Sequence, residues 1–312
     1  MHHAGLGCQH HDARRRSNST VFQALVTPDP SSPGETRRLY QALPPDVVAV
    51  LSPIERLNVE VALRMNREPM KGIWSWCQAA FGATWIALVT GRLLRVEGLE
   101  HARTAFARGP LLLVANHRSY FDMFVVSSVL HRELDGRKRL YFPVIGQYYY
   151  QSLVGLALNQ FVALWSMFPP LFALPTHAAS DRFALDLLVE LCAQGPGSIL
   201  GIHPEGGRNR DPDPYSFMRC QPGTGKIIYA ARPIVIPTFI AGLDNNIAAQ
   251  VRRNWRGGEP IRVWFGEPLD METYLAMPAK GSTYKHITDA VMERVRGLGE
   301  QDRAKYGGTA QR

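Results

Sequence analysis

A histidine and an aspartate five residues apart are the residues whose types and spacing first suggest catalysis. Residues 116–122 read NHRSYFD, so His117 directly follows an apolar run and Asp122 falls in the first turn of a predicted helix. Five residues along a regular helix, side chains point about 140° apart, but a histidine that precedes the helix is free to fold back over its first turn. A carboxylate that holds one imidazole nitrogen leaves the other nitrogen basic. We therefore expect His117 to be a general base oriented by Asp122.

The same segment also allows a purely structural interpretation. Ser119 is a good helix N-cap, and a carboxylate at Asp122 favours the positive end of the helix dipole. In this interpretation His117 is an ordinary loop residue. The structural and catalytic roles of Asp122 are compatible, so both remain open at this point.

A second polar segment follows the predicted strand at 198–203. Its sequence, HPEGGR, contains Glu205, the adjacent glycines Gly206 and Gly207, and Arg208. Glycines let the backbone turn sharply and expose N–H groups, and a guanidinium binds phosphate through a bidentate fork. The segment indicates an anion pocket, and its alternative is a polar turn with solvated arginines.

Several other kinds of site lack the residues they need. The segment QPGTGK at 221–226 does not have the spacing of a phosphate-binding P-loop, and no GxSxG supplies a nucleophile elbow. Histidines and a cysteine cluster near residue 1, but in a segment with no scaffold to fix a metal. We therefore predict no metal site.

The elements that must position these segments alternate between short apolar runs and helix-like stretches. Helical patterns at 121–130 and 182–194 separate some of the strands, which are predicted at 94–97, 111–115, 141–145, 198–203, 234–240 and 261–265. This alternation is typical of an α/β fold with a mostly parallel central sheet flanked by helices. Reactive groups in such sheets gather beyond the carboxyl ends of the strands, where both polar segments fall.

The chain divides into four expected regions. Residues 1–40 lack apolar periodicity and are predicted to be a flexible tail. N-terminal helices occupy 41–95, the main domain occupies 96–300, and a polar tail occupies 301–312.

Two long apolar stretches suggest contact with a membrane. The stretch at 73–94 contains three tryptophans and has basic flanks, so it suits a spanning helix or a helix lying in the membrane interface. A buried core helix is the third alternative. The stretch at 152–174, broken by Pro169 and Pro170, is expected either to enter the bilayer or to line a hydrophobic groove.

Composition and charge narrow the class of protein. Apolar residues make up 46% and charged residues 20% of the chain, as in globular proteins. The net charge of +8 favours anionic partners such as phospholipid headgroups, whereas no nucleic-acid-binding pattern accompanies it. Scattered cysteines and the lack of a leader-like apolar stretch before Met70 favour a membrane-associated protein on the cytoplasmic face.

Taken in order, the segments NHRSYFD, HPEGGR, IVIPTFIAG and VWFGEPL resemble the phospholipid and glycerol acyltransferase family, which includes 1-acylglycerol-3-phosphate acyltransferases. The first segment matches the family's NHxSxxD in all four fixed positions. The second matches FPEGTR except that His203 replaces Phe and Gly207 replaces Thr, and Pro237 falls where the fourth motif has its proline. The resemblance covers roughly residues 96–270.

The resemblance implies an α/β fold, attachment to membrane phospholipids, and transfer of a fatty acyl group from acyl-CoA or acyl carrier protein to a hydroxyl of a lysophospholipid or related lipid. The thioester is a co-substrate, and no cofactor is implied. His117 is implied as the base and Asp122 as its partner. Substrate-binding roles are implied for the other motif residues, Asn116, Ser119, Glu205, Gly206, Gly207 and Arg208.

One departure from the family concerns the acceptor. The family commonly carries a GxxFxxR block whose arginine contacts the acceptor phosphate, whereas alignment on Phe172 here places Pro175 at the arginine position. Either Arg182 substitutes for it or the acceptor lacks glycerol phosphate. The alternatives to acyl transfer are a non-catalytic lipid-binding protein on the same fold and a lipid ester or thioester hydrolase.

Overall fold

A seven-stranded sheet forms the centre of the molecule. The structure is a computed structural model and describes residues 42–307. The tail expected at 1–40 lies outside the described residues. The strands are β1 (Leu94–Glu97), β2 (Leu111–Ala115), β3 (Arg139–Ile145), β4 (Met167–Leu171), β5 (Ser198–Ile202), β6 (Ile234–Ala241) and β7 (Ile261–Phe265).

The sheet is mostly parallel. Its strand order is β1-β7-β6-β2-β5-β3-β4, and the five strands from β6 to β4 are parallel to one another. Strand β7 runs antiparallel to β6 and parallel to β1. The predicted fold class, an α/β fold with a mostly parallel central sheet flanked by helices, is therefore confirmed.

The helices pack on both faces of the sheet, so the central strands β2 and β5 are buried along their whole length. Buried parallel strands read as continuous apolar runs, which explains why both were predictable. The helices are α1 (Pro45–Val50), α2 (Pro53–Met65), α3 (Met70–Cys77), α4 (Ala83–Thr90), α5 (Leu99–Arg108), α6 (Asp122–Glu133), α7 (Gly146–Tyr149), α8 (Leu153–Phe161), α9 (Ala178–Cys192), α10 (Gly223–Ala231), α11 (Ile247–Arg256), α12 (Glu272–Leu275) and α13 (Gly281–Tyr306).

The apolar stretch expected at 73–94 is not one uniform helix. It comprises most of α3, a π-helical turn at Gln78–Gly82, α4 and the start of β1. Helices α3 and α4 are anchored to the rest of the domain on one side. Lys71 of α3 donates to the Leu140 carbonyl of β3 at 2.7 Å, and Ser128 of α6 donates to the Ala83 carbonyl of α4 at 2.9 Å. Within residues 42–307, no helix combines the length and the apolar character needed to cross a membrane.

The second apolar stretch, at 152–174, divides into helix α8 and strand β4. The sequence predicts no strand here, because Pro169 and Pro170 cannot donate backbone hydrogen bonds. Strand β4 is the edge of the sheet and pairs only with β3, and an edge is where prolines are tolerated. The buried residues 167–170 are thus part of the core.

Helix α13 continues to Tyr306, so the polar tail expected from residue 301 does not begin there. The helix is held by Asp302, which is fully buried. Its carboxylate accepts from Arg262 Nε at 2.9 Å, Trp264 Nε1 at 2.7 Å and the Tyr215 hydroxyl at 3.0 Å. The partners of Asp302 are distant in the sequence, so the sequence alone does not reveal that this charge is buried. For that reason the segment was predicted to be a polar tail.

Candidate active site

The two polar segments meet at the carboxyl edge of the sheet. Strands β2 and β5 are parallel neighbours, so the loops that follow them lie side by side. The backbone N–H of His117 donates to Glu205 Oε2 at 3.3 Å, and the N–H of Asn209 donates to the His117 carbonyl at 2.8 Å. Residues 88 positions apart in the chain therefore form one site.

His117 folds back over the start of α6 to meet Asp122. Its Nδ1 lies 3.0 Å from Asp122 Oδ2. The same oxygen accepts from the backbone N–H groups of Arg118 at 2.7 Å and Ser119 at 2.9 Å. Because Asp122 is 1% exposed, these contacts fix both the loop and the carboxylate. Helix α6 begins at Asp122 with Phe121 at its N-cap position, so Ser119 is not the N-cap that the structural interpretation expected. The catalytic role of Asp122 stays a prediction.

This arrangement determines which imidazole nitrogen is free. A carboxylate only accepts hydrogen bonds, so Nδ1 of His117 carries the proton that faces Asp122. Nε2 of the neutral ring then holds the lone pair. The His117 side chain is 21% exposed, which leaves it accessible from solvent while its carboxylate partner is not. The pair has the geometry of an oriented general base.

Asn116 and Ser119 lie in the site but use their side chains to hold the backbone. Asn116 exchanges two hydrogen bonds of 2.8 Å with the backbone of Ile240 on β6. Ser119 Oγ accepts from the N–H of Phe121 at 3.1 Å, one residue before α6 begins. Both side chains are buried, and their substrate-binding roles stay predictions.

Glu205 connects the loop after β2 to the loop after β5 through its carboxylate. Its carboxylate accepts from the N–H groups of His117 and of Met218, the latter at 3.2 Å. The residue is 4% exposed, and this burial raises the pKa of its carboxyl to about 7, although the two backbone donors and the nearby His117 and Arg118 oppose the shift. Whether Glu205 also touches substrate stays a prediction.

The glycines after Glu205 have different requirements. Gly206 has φ +65° and donates to the His203 carbonyl at 3.1 Å, a left-handed turn that favours glycine. At Gly207 an added Cβ would meet nothing within 4 Å among the described residues. Gly207 therefore borders open space, where the family's threonine would fit.

Arg208 lies against the first loop rather than in solvent. Its guanidinium carbon is 3.4 Å from the centre of the Tyr120 ring, and its Nη1 donates to Asn245 Oδ1 at 3.1 Å. Asn245 Oδ1 also accepts from the N–H of Tyr120 at 3.1 Å. Burial raises the pKa of the Tyr149 hydroxyl, and the charge of Arg208 acts on that hydroxyl in the opposite direction. This cation, with two aromatic neighbours, is the candidate anion-binding group of the site.

His203, at the family's phenylalanine position, stacks on His117. The ring centroids are 4.0 Å apart and the planes differ by 10°. Its Nδ1 lies 3.1 Å from the Ala115 carbonyl, so this nitrogen is the donor. Burial, and secondarily the proximity of His117, lower the pKa of His203 well below its usual value. His203 is therefore a neutral aromatic ring at neutral pH.

The donor atoms of His117, Asp122 and His203 all lie within 4.8 Å of one another, a spacing that a metal ion could bridge. However, imidazole binds metals through lone pairs in the plane of the ring. The two rings are nearly parallel, so their lone pairs do not converge on one point, and both Nδ1 atoms already face oxygen acceptors. The arrangement suits an oriented base better than a metal centre.

Sequence reasoning missed Asn245 and Tyr120. Asn245 follows β6, which lies beside β2, so the rule that functional groups gather after strand ends identifies the segment GLDNN once β6 is placed. Arg182 is exposed in the second turn of α9, and its substitution for the missing block arginine stays a prediction.

Fold and site together define a class of α/β protein with an oriented histidine base beside an arginine-containing loop. Residues 93–241 match the family model described as Acyltransferase, so this part of the chain is an acyltransferase domain of the phospholipid and glycerol acyltransferase kind. The match includes every residue from Asn116 to Arg208 discussed above. A search of curated proteins gave no significant match.

Proposed function

We propose that this acyltransferase moves a fatty acyl group from acyl-CoA or acyl carrier protein to a hydroxyl of a lysophospholipid or a related lipid, with His117 as the general base. The observation that carries the proposal is the 3.0 Å contact between His117 Nδ1 and Asp122 Oδ2, which leaves Nε2 free to accept a proton. General-base assistance of this kind contributes about 10²- to 10⁴-fold to a rate.

The proposed reaction needs no covalent enzyme intermediate. The acceptor hydroxyl donates to Nε2 of His117 and loses its proton as its oxygen attacks the thioester carbonyl. A C–O bond forms, the C–S bond breaks, and the proton passes from Nε2 to the departing thiolate. Asp122 stabilises the imidazolium that exists between these proton transfers.

The acceptor is proposed to carry a phosphate. Asn245 holds the guanidinium of Arg208 over the ring of Tyr120. Tyr120 lies on the same loop as His117. A guanidinium in a fixed orientation binds phosphate with two hydrogen bonds and loses little side-chain entropy in doing so. Phosphate held there would bring a nearby acceptor hydroxyl to the base.

A membrane face is proposed on the side of the molecule formed by α3, α4 and α8. Large apolar side chains there are strongly exposed, namely Ile73, Trp76, Phe81, Leu88, Leu153, Val154, Leu158 and Phe161. The two parts of this face adjoin, since Gln78 donates to the Leu164 carbonyl at 2.7 Å and Trp74 packs edge-on against Trp165. Large exposed apolar patches mark interaction sites, and helices that expose one apolar face suit the membrane interface.

The test is an assay of the purified protein with labelled acyl-CoA, labelled acyl carrier protein and a panel of lysophospholipids in mixed micelles. The proposal predicts an acylated lipid and an equal amount of free thiol. Free fatty acid in place of an acylated lipid would identify a hydrolase. Tight lipid binding with no thiol release from either donor would identify the non-catalytic lipid-binding alternative.

A further inference from the structure

A cleft away from the active site opens between α4, the end of α6 and the end of α11. It has a volume of about 490 Å³, within the range of small-molecule sites. Its walls include Ala87, Leu88, Arg92, Arg132, Asn254 and Trp255. Arg132 follows Asp122 by ten positions on α6, so the rise of the helix separates the two by about 15 Å. The cleft is therefore distinct from the catalytic pair.

Two arginines without a counter-charge face this cleft. Arg92 and Arg132 are exposed, and no Asp or Glu of the described residues lines the cleft with them. Neither guanidinium forms an ion pair within residues 42–307, whereas other exposed arginines, such as Arg56, Arg103 and Arg137, do. Like charges that share a cleft repel each other, and a bound anion removes this cost. The cleft is thus electrostatically suited to an anion.

The rest of the wall is aromatic and apolar, and its parts are fixed in place. The guanidinium of Arg92 lies 4.5 Å from the Trp255 ring centre. Asn254 accepts from the N–H of Arg92 at 3.0 Å and donates to the Leu88 carbonyl at 2.8 Å, which ties α11 to α4. Leu88 and Trp255 are 57% and 55% exposed. A ligand that fills this cleft would pair an anionic group with an apolar part.

We propose that this cleft binds the phosphate headgroup of an anionic membrane phospholipid, with Leu88 and Trp255 contacting the glycerol and the start of the acyl chains. Leu88 on α4 is the last member in the chain of an exposed apolar row that begins with Ile73 and Trp76 on α3 and Phe81 in the π-helical turn, so the cleft lies at one end of the membrane face. The exposed Arg252 and Arg256 of α11 add positive charge beside it. The inference rests on the proposed membrane face but not on the acyl-transfer chemistry.

The experiment is a calorimetric titration with dihexanoyl phosphatidylserine below its micelle concentration. Both glycerol hydroxyls of this lipid are already acylated, so its glycerol cannot be the acceptor. The proteins compared are wild type, Arg92→Gln, Arg132→Gln, Arg208→Ala and the control Arg108→Gln, whose exposed arginine lies on α5 outside the cleft. Thermal melts check that each variant folds. Inorganic phosphate and coenzyme A serve as competing probes.

We expect Arg92→Gln and Arg132→Gln each to weaken lipid binding about tenfold, as loss of a charge-assisted hydrogen bond does, while Arg108→Gln and Arg208→Ala bind like wild type. Inorganic phosphate should compete only weakly, because it lacks the apolar part. Wild-type affinity in both cleft variants would overturn the proposal, and so would loss of binding in Arg208→Ala alone, which places the lipid in the active site. Displacement of the lipid by inorganic phosphate at equal affinity would overturn the proposal by showing a simple anion site. Displacement of the lipid by coenzyme A would overturn it by assigning the cleft to the acyl donor.

The outcomes separate this inference from the proposed function. A wild-type protein that binds the lipid through Arg92 and Arg132 but transfers no acyl group would support the inference and contradict the proposed function. A protein that transfers acyl groups but binds this lipid equally well in every variant would support the proposed function and contradict the inference.

Discussion

The imidazole ring of His203 lies parallel to that of His117, with 4.0 Å between the ring centroids. His203 thus presents a flat aromatic surface at the position where the family motif has phenylalanine. A stacked aromatic pair is worth about 0.5–1.5 kcal/mol beyond its buried area, and here it restrains the ring of His117, which we propose to be the base.

The first prediction follows from this stack. His203→Phe keeps an aromatic surface against His117, so we expect kcat to stay within about threefold of wild type. His203→Ala removes the surface, and we expect kcat to fall by about tenfold, which corresponds to about 1.4 kcal/mol. Steady-state kinetics of the two variants provide the measurement. Equal kcat for both variants would show that the stack does not orient the base.

The second prediction concerns Asn245, which accepts from both Arg208 Nη1 and the N–H of Tyr120. In Asn245→Ala the guanidinium loses its fixed position, so we expect the acceptor KM to rise about five- to tenfold with little change in kcat. The matched control is Asn246→Ala. Asn246 caps α11 by accepting from the N–H of Ala249, so its loss should cost about 1 kcal/mol of stability and leave KM unchanged. A rise in KM in both variants would indicate general loosening of the loop.

The third prediction concerns pH and stability. Burial raises the pKa of the Glu205 carboxyl from 4.5 to about 7 in the folded protein. The folded state therefore binds this proton more tightly than the unfolded state, and the resulting stabilisation is complete below about pH 4.5 and is lost as the pH rises through about 7. In Glu205→Gln this titration is absent.

Relative to Glu205→Gln, the wild-type free energy of unfolding should fall by on the order of 3 kcal/mol between about pH 4.5 and pH 8. Urea unfolding at several pH values measures it, and the comparison cancels the titration of other groups. Parallel pH curves for the two proteins would show that Glu205 keeps an ordinary pKa.

The fourth prediction tests the membrane face. Trp76 and Phe81 are 63% and 62% exposed and contact each other edge to face, so Trp76→Ser and Phe81→Ser should not disturb the core. We expect each to weaken sedimentation with phosphatidylcholine–phosphatidylglycerol vesicles about tenfold, since burying such a side chain contributes about 1.5–3 kcal/mol. Ile247→Ser, an exposed apolar residue on α11, is the control. Unchanged sedimentation in the first two variants would remove this face from membrane binding.

The sequence predicted the fold well where one local signal is sufficient. The runs at 94–97, 111–115 and 261–265 have the same bounds as β1, β2 and β7. Only β2 is a continuous buried apolar run, whereas β1 and β7 are short leucine-rich or β-branched runs that also contain charged residues. Strand β4 was missed because a strand with two prolines is acceptable only at an edge, and the edge position of β4 depends on the whole sheet. Asp302 was missed for a related reason, since its burial depends on Arg262 and Trp264.

The candidate site was predicted in part. His117, Asp122, Glu205 and Arg208 were identified because they follow strands that end at the same edge of the sheet, and the contact between His117 and Asp122 needs only a local turn. Asn245 was not identified, because its contact with Arg208 requires the pairing of β6 with β2 and the stacking of Arg208 on Tyr120. Long-range hydrogen bonds of this kind leave no spacing pattern.

The most direct test of the central claim is the single-turnover rate of acyl transfer by folded His117→Ala, compared with Asp122→Asn and wild type at saturating acceptor. If His117 removes the acceptor proton, His117→Ala should be slower by at least about 10²-fold, and Asp122→Asn should also be strongly impaired because Nδ1 loses its carboxylate partner. A His117→Ala protein that folds and transfers acyl groups at nearly the wild-type rate would contradict the account.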